Sequence, residues 1–167
     1  MHDGGVRCLD CHNPHSGKLT LPANNNLLCM NCHAPPGRNG GIAILPTEHS
    51  HHPAGSSGNR CVECHMPQTE YMESDLRRDH GFTSPDPMLT RTLGIPNACS
   101  SCHDDKSLEW AEEWSEKWYG EKLAARRTRP RAQAIQDAWD GDPNAGSTLA
   151  TLAASETNVI WKASLIR

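Results

Sequence analysis

Four pentapeptides in this chain have one form: "CLDCH" (8–12), "CMNCH" (29–33), "CVECH" (61–65) and "CSSCH" (99–103). Together they use all 8 cysteines: Cys8 and Cys11, Cys29 and Cys32, Cys61 and Cys64, Cys99 and Cys102. A histidine directly follows each pair: His12, His33, His65 and His103. The separation of Cys11 and Cys29 fits a zinc ribbon, but Cys64 and Cys99 lie much further apart, and zinc requires no histidine after each pair. A thioredoxin-like redox pair predicts one such motif beside a βαβ unit, not four among turns. A disulfide framework predicts no accompanying histidines.

The chemistry that requires all three residues is covalent attachment of c-type haem. Two thiols add to the porphyrin vinyl groups as thioethers, and the histidine reaches the iron from the same side. Four motifs predict four haems c. His12, His33, His65 and His103 are then the proximal ligands, and the eight cysteines are the tethers.

Each iron has a second axial position. Outside the motifs lie His2, His15, His49, His51, His52 and His80. Methionine is the competing ligand, but with histidine in surplus Met30, Met66, Met72 and Met88 read as packing residues. His15 follows His12 across a proline in "HNPH". The tether holds this backbone on one haem face, and so short a segment cannot wrap around a porphyrin. His15 is therefore expected to ligate an iron other than that of His12. At least one histidine of "HSHH" (49–52), and His80 in "RRDHGF", are further ligand candidates.

Composition agrees with a bulky apolar cofactor. The chain has 167 residues, 36% hydrophobic and 5% aromatic, with 13 Gly and 12 Pro. Its mean hydropathy is -0.67. That is too little apolar material for a generous core without a staple. A formal charge of -4 excludes a general nucleic-acid binder. No stretch is long and apolar enough to span a membrane. "MHDGGVRC" is no signal peptide, yet haem c chemistry points to a periplasmic or extracellular protein of a bacterium or archaeon.

"CVECHMPQTEYM", "RRDHGF" and "LGIPNACSSCHDDKSLEWAEEWSEKWYG" resemble bacterial multihaem c-type cytochromes whose haem region precedes tetratricopeptide- or HEAT-like helical repeats. They are similar to the broader superfamily around cytochrome c nitrite reductase and hydroxylamine oxidoreductase. "HDGGVRCLDCHNPHSG" through "LCMNCH" resembles the paired Cys-x-x-Cys-His module, with one histidine ahead of the first motif and one in a Pro-His after it. The resemblance implies distal ligation by His2, His15, His80 and a member of the "HSHH" run, with His52 the first choice and His49 the alternative.

The elements that must position these residues read as mostly α with extensive loops and little β. Residues 1–105 read as a haem-wrapped tetrahaem cytochrome c region, rich in turns such as "LPANNN" and "APPGRNGG". Residues 106–167 read as a short helical, repeat-like segment. Ser107 caps a first helix and Gly120 ends it. Trp110, Trp114 and Trp118 line one face of it, and Glu109, Glu112, Glu113 and Glu116 form a solvated one. Pro130 opens and Gly141 follows a second helix, and "AGSTLATLAAS" and "NVIWKASLIR" are two more. The pattern stops at Arg167 without a polar cap, so the protein is expected to continue or to be covered by another subunit. The basic run "ARRTRPR" reads as a solvated helix face.

Electron transfer through closely packed bis-histidine haems is the favoured function, with redox proteins as partners. The alternative is a multihaem oxidoreductase with one open iron, reducing nitrogen or sulfur oxyanions. A third reading is self-association into a haem filament, a nanowire.

Overall fold

The protein is described by a computed structural model covering residues 5–38 and 41–166. As expected, helices and loops dominate, and one two-stranded hairpin is the only sheet among the described residues. The chain divides into two compact units, Met1–Pro85 and Asp86–Arg167.

The first unit holds three motifs. Its helices are short: α1 (Cys8–Cys11), α2 (Leu27–His33), α3 (Pro46–Ser50) and α4 (Cys61–His65). A 3-10 turn, Ser57–Asn59, leads into α4. Asn59 is buried, and its side-chain amide donates to Ser50 Oγ at 3.1 Å and to the His52 carbonyl at 3.2 Å. That pins the histidine-rich loop against the start of the third motif. Strands β1 (Gln68–Tyr71) and β2 (Asp75–Arg78) pair antiparallel, with Gln68 opposite Arg78 and Tyr71 opposite Asp75. Met72 and Glu73 turn the hairpin in the left-handed region, at φ 51° and 63°. Arg78 fastens β2 to α4. Its guanidinium donates to the Val62 carbonyl at 3.1 Å and the Met66 carbonyl at 3.0 Å, and pairs with Glu63 at 2.8 Å. The bond to Met66 satisfies a carbonyl that the helix C-terminus leaves without an intrahelical partner, while the Val62 carbonyl accepts the Met66 amide as well.

The second unit holds the fourth motif. α5 (Pro87–Leu93) is followed by a 3-10 turn, Cys99–Ser101, and then by α6 (Leu108–Ala124), α7 (Thr128–Trp139), α8 (Ala145–Ala154) and α9 (Val159–Ile166). α5 packs on α6 and α7, α7 on α8, and α8 on α9. Ser107 caps α6 by accepting from the Trp110 amide at 3.3 Å, a contribution of about 1 kcal/mol. Trp110, Trp114 and Trp118 do share a face, with centroid separations of 6.5 and 5.0 Å.

Two expectations are corrected here. Gly120 does not end α6, which continues to Ala124 and so buries Leu123. The basic run is not a solvated face. Arg129 makes a two-bond pair with Asp86 at 2.7 and 3.0 Å and also binds Glu116 at 2.7 Å. Arg127 donates to the Ser155 carbonyl at 2.6 Å, and Arg131 pairs with the buried Glu156 at 2.5 Å. The glutamate face of α6 is solvated as expected, with Glu109, Glu113 and Glu116 exposed, and Arg91 pairs with Glu109 and Glu112 along it at 2.9 and 2.7 Å. The arginines are struts between helices, because small Ala-rich faces leave room for long side chains to cross.

Candidate haem-attachment sites

A helical turn is what the Cys-x-x-Cys-His spacing requires. Positions i, i+3 and i+4 lie on one face of a helix, so both thiols and the imidazole project together. The structure folds the motifs this way. The His12 amide bonds the Cys8 carbonyl at 2.8 Å, and the His103 amide bonds the Cys99 carbonyl at 3.0 Å. At the fourth motif, Asn97 Oδ1 accepts from the Cys99 and Ser100 amides at 3.0 and 3.2 Å and starts the turn. All eight thiols are free of disulfides.

Three of the motif imidazoles are oriented by backbone carbonyls. His12 Nδ1 bonds the Gly17 carbonyl at 2.9 Å, His33 Nδ1 the Ile42 carbonyl at 2.9 Å, and His65 Nδ1 the Thr83 carbonyl at 2.8 Å. A carbonyl partner puts the ring proton on Nδ1 and leaves Nε2 as the basic nitrogen, the one suited to a metal. Gly17 reaches its position at φ 67°, where the 13–18 loop folds back on α1.

The donor set and the surroundings fit haem. Among the described residues no three His, Cys, Asp or Glu donors converge as a bare metal ion would need. A porphyrin supplies four of the iron's six ligands, so a single imidazole on each side completes it. Val62 is the only buried hydrophobic side chain described in the first unit, while Leu9, Leu19, Leu27, Ile42 and Leu45 are exposed. Such apolar side chains beside the motifs suit the flat apolar faces of a porphyrin.

Motifs 2 and 3 are stitched together by Asn26, a residue that sequence reasoning passed over. It is buried, sits at φ 66° just ahead of α2, donates to the Asn59 carbonyl at 2.8 Å and accepts from the Cys61 amide at 2.9 Å. The thiols of Cys29 and Cys61 are consequently close enough to influence each other. The Cys61 thiol pushes the Cys29 thiol well above its ordinary value, and Cys29 holds Cys61 down to about 7. Burial raises Cys11 and Cys99.

The remaining histidines occupy distinct settings. His2 lies outside the described residues. His15 is exposed in the loop after α1, its amide donating to Asn13 Oδ1 at 3.0 Å. His51 ends α3 in the left-handed region, at φ 57°. His52 is held by its own loop: Nδ1 bonds the Ser50 carbonyl at 2.6 Å, and a Cβ on Gly58 would stand 2.2 Å from its ring. His80 Nδ1 bonds the Arg78 carbonyl at 2.9 Å. The structure brings two of these rings opposite motif histidines. His80 faces His12 with centroids 6.2 Å apart and planes 31° from parallel. His49 faces His65 at 6.0 Å and 14°.

Comparison with known proteins agrees with this chemistry. A doubled Cys-x-x-Cys-His motif family matches residues 2–37, and the cytochrome c552 family matches residues 47–158. No curated protein and no solved structure matches the chain. The second match alone spans more than half of the sequence. The helical fold, the haem-binding motifs and the oriented imidazoles thus have one explanation: the chain belongs to the cytochrome c552 family, multihaem c-type cytochromes that transfer electrons on covalently bound haem c.

Proposed function

We propose that this chain carries four haems c, one per motif, and conducts electrons along them between redox partner proteins. Bound haem supplies a one-electron iron couple; the chain's residues hold, space and tune it. The eight cysteines tether, and His12, His33, His65 and His103 ligate from the tethered side. Second ligands come from His2, His15, His80 and a member of the 49–52 run. Two imidazoles keep a haem potential low compared with a Met/His pair, which suits a low-potential relay. The four added haems bring propionates that make the holoprotein more acidic than its sequence, favouring partners with basic docking faces. A periplasmic or extracellular setting belongs to this reading, since the cytochrome c552 family is typically periplasmic.

The observation that carries the proposal is the junction of motifs 2 and 3. Asn26 binds the Cys61 amide and the Asn59 carbonyl, which brings the start of the second motif against the start of the third and the Cys29 and Cys61 thiols near each other. Thioethers formed at these sulfurs would be neighbours, and two haem edges would meet there. Adjacent edges are what a relay needs; a chain that only stored haem would gain nothing from them.

Intact mass under denaturing conditions, together with the spin state of the ferric protein, tests the reading. Four haem additions and wholly low-spin iron are expected. Fewer additions, or thiols that react with an alkylating reagent, would refute the haem count. A high-spin fraction that binds nitrite or cyanide would instead favour the oxidoreductase.

A further inference from the structure

We infer that His80 is the second axial ligand of the iron held by His12, and that His49 is that of the iron held by His65. The inference deepens the bis-histidine reading above and rests on it.

The distances argue for one intervening iron in each pair. An imidazole nitrogen stands about 2.0 Å from a first-row transition metal. The ring centroid lies about 1.1 Å behind that nitrogen, so rings on opposite sides of one iron have centroids about 6.2 Å apart. The observed separations are 6.2 Å for His12 and His80 and 6.0 Å for His49 and His65. A direct N–H···N bond between two imidazoles would draw the centroids to about 5 Å. Plain ring packing also occurs near 6 Å, so the distance alone does not decide. Orientation adds to it. Nδ1 of His12, His80 and His65 is engaged by the carbonyls of Gly17, Arg78 and Thr83, at 2.9, 2.9 and 2.8 Å. In each of these rings Nε2 is then the nitrogen suited to iron. Both pairs also join one motif histidine to one histidine from outside the motifs.

Each second ligand is carried on a braced segment. His80 follows Arg78 closely, and Arg78 is clamped to α4 through Val62, Met66 and Glu63. The hairpin thus extends an arm from the third motif to the iron of the first. His49 lies on α3, whose Thr47 and Ser50 hydroxyls both accept from the Asn59 side chain, at 3.4 and 3.1 Å. His52, by contrast, has its ring packed against Gly58. Within the 49–52 run the geometry therefore favours His49 over His52.

The test uses the intact holoprotein and reads spin state and potential. His80→Ala and His49→Ala should each retain every haem by mass, and each should convert one haem equivalent from low to high spin. His80→Met should stay six-coordinate and low-spin, acquire a sulfur-to-iron charge-transfer band, and raise the potential of one haem. Identity is read in the ferrous wild type. Nuclear Overhauser contacts should connect the His80 ring to the haem tethered by Cys8 and Cys11, and the His49 ring to that tethered by Cys61 and Cys64. If the wild type is wholly low-spin and His80→Ala stays so with all haems attached, the His80 pairing is wrong while bis-histidine ligation stands. Contacts from His80 to a different haem overturn the pairing equally. A high-spin haem in the wild type would count against the broader reading, and the Overhauser contacts would still judge the pairs.

Discussion

Asn26 accepts a hydrogen bond from the backbone amide of Cys61 at 2.9 Å, across 35 positions of sequence. Its amide group simultaneously donates to the Asn59 carbonyl at 2.8 Å. One buried side chain thus fixes the start of the second motif's helix against the start of the third. Asn26→Ala leaves an amide and a carbonyl without partners in a buried place, at a cost of about 1–3 kcal/mol. Chemical denaturation of the holoprotein should show that loss. Magnetic coupling between the haems of motifs 2 and 3, read by electron paramagnetic resonance, should weaken as well, which a purely local destabilisation would not produce.

His15→Ala should leave every haem attached, because attachment needs only the motif. One iron other than that of His12 should become high-spin, and its potential should rise. The altered haem is identified by nuclear Overhauser contacts to its own motif. A wholly low-spin variant, or a change at the iron of His12, would show that His15 does not link neighbouring haems.

Gly58→Ala puts a methyl group 2.2 Å from the His52 ring. The ring must leave its place, a repacking cost of about 1–3 kcal/mol. Thermal unfolding should register that cost, while all iron stays low-spin because His49 is the ligand. A new high-spin signal would return the role to His52.

Acid should loosen the second unit. The Asn158 amide, above all, and Arg131 hold the Glu156 carboxyl below its ordinary value of 4.5. Its proton is bound more weakly folded than unfolded, so its stabilisation is present above about pH 4.5 and lost as pH falls through the folded value. Helical circular dichroism of the holoprotein should therefore fall on acidification from pH 5 to about 3. Glu156→Gln should be less stable at neutral pH and should flatten that dependence.

The attachment motifs were legible because covalent chemistry constrains residue type and spacing together, and the helical turn follows from the same spacing. The helices after residue 106 were legible from caps and from the period of Trp110, Trp114 and Trp118. Asn26 was not, because "ANNN" reads as an ordinary turn and its partners lie far along the chain. The hairpin was invisible for a different reason: β1 is exposed on both faces and β2 almost so, and neither has the apolar alternation that marks a half-buried strand. The arginine struts were misread since a local charge run carries no record of the distant Asp86, Ser155 and Glu156 that receive it. Facing rings such as His12 and His80 depend on a hairpin that periodicity could not reveal.

The aromatic row on α6 begins at the fourth motif. The Trp110 centroid lies 4.8 Å from that of His103, with Trp114 a further 6.5 Å and Trp118 another 5.0 Å along. Haem absorbs where tryptophan emits, so indoles this close to a haem ligand lose their excitation to it. In the proposed holoprotein these three residues are dark. Their emission returns in molecules whose fourth site was never filled, so a rise in ultraviolet fluorescence marks incomplete maturation of that site.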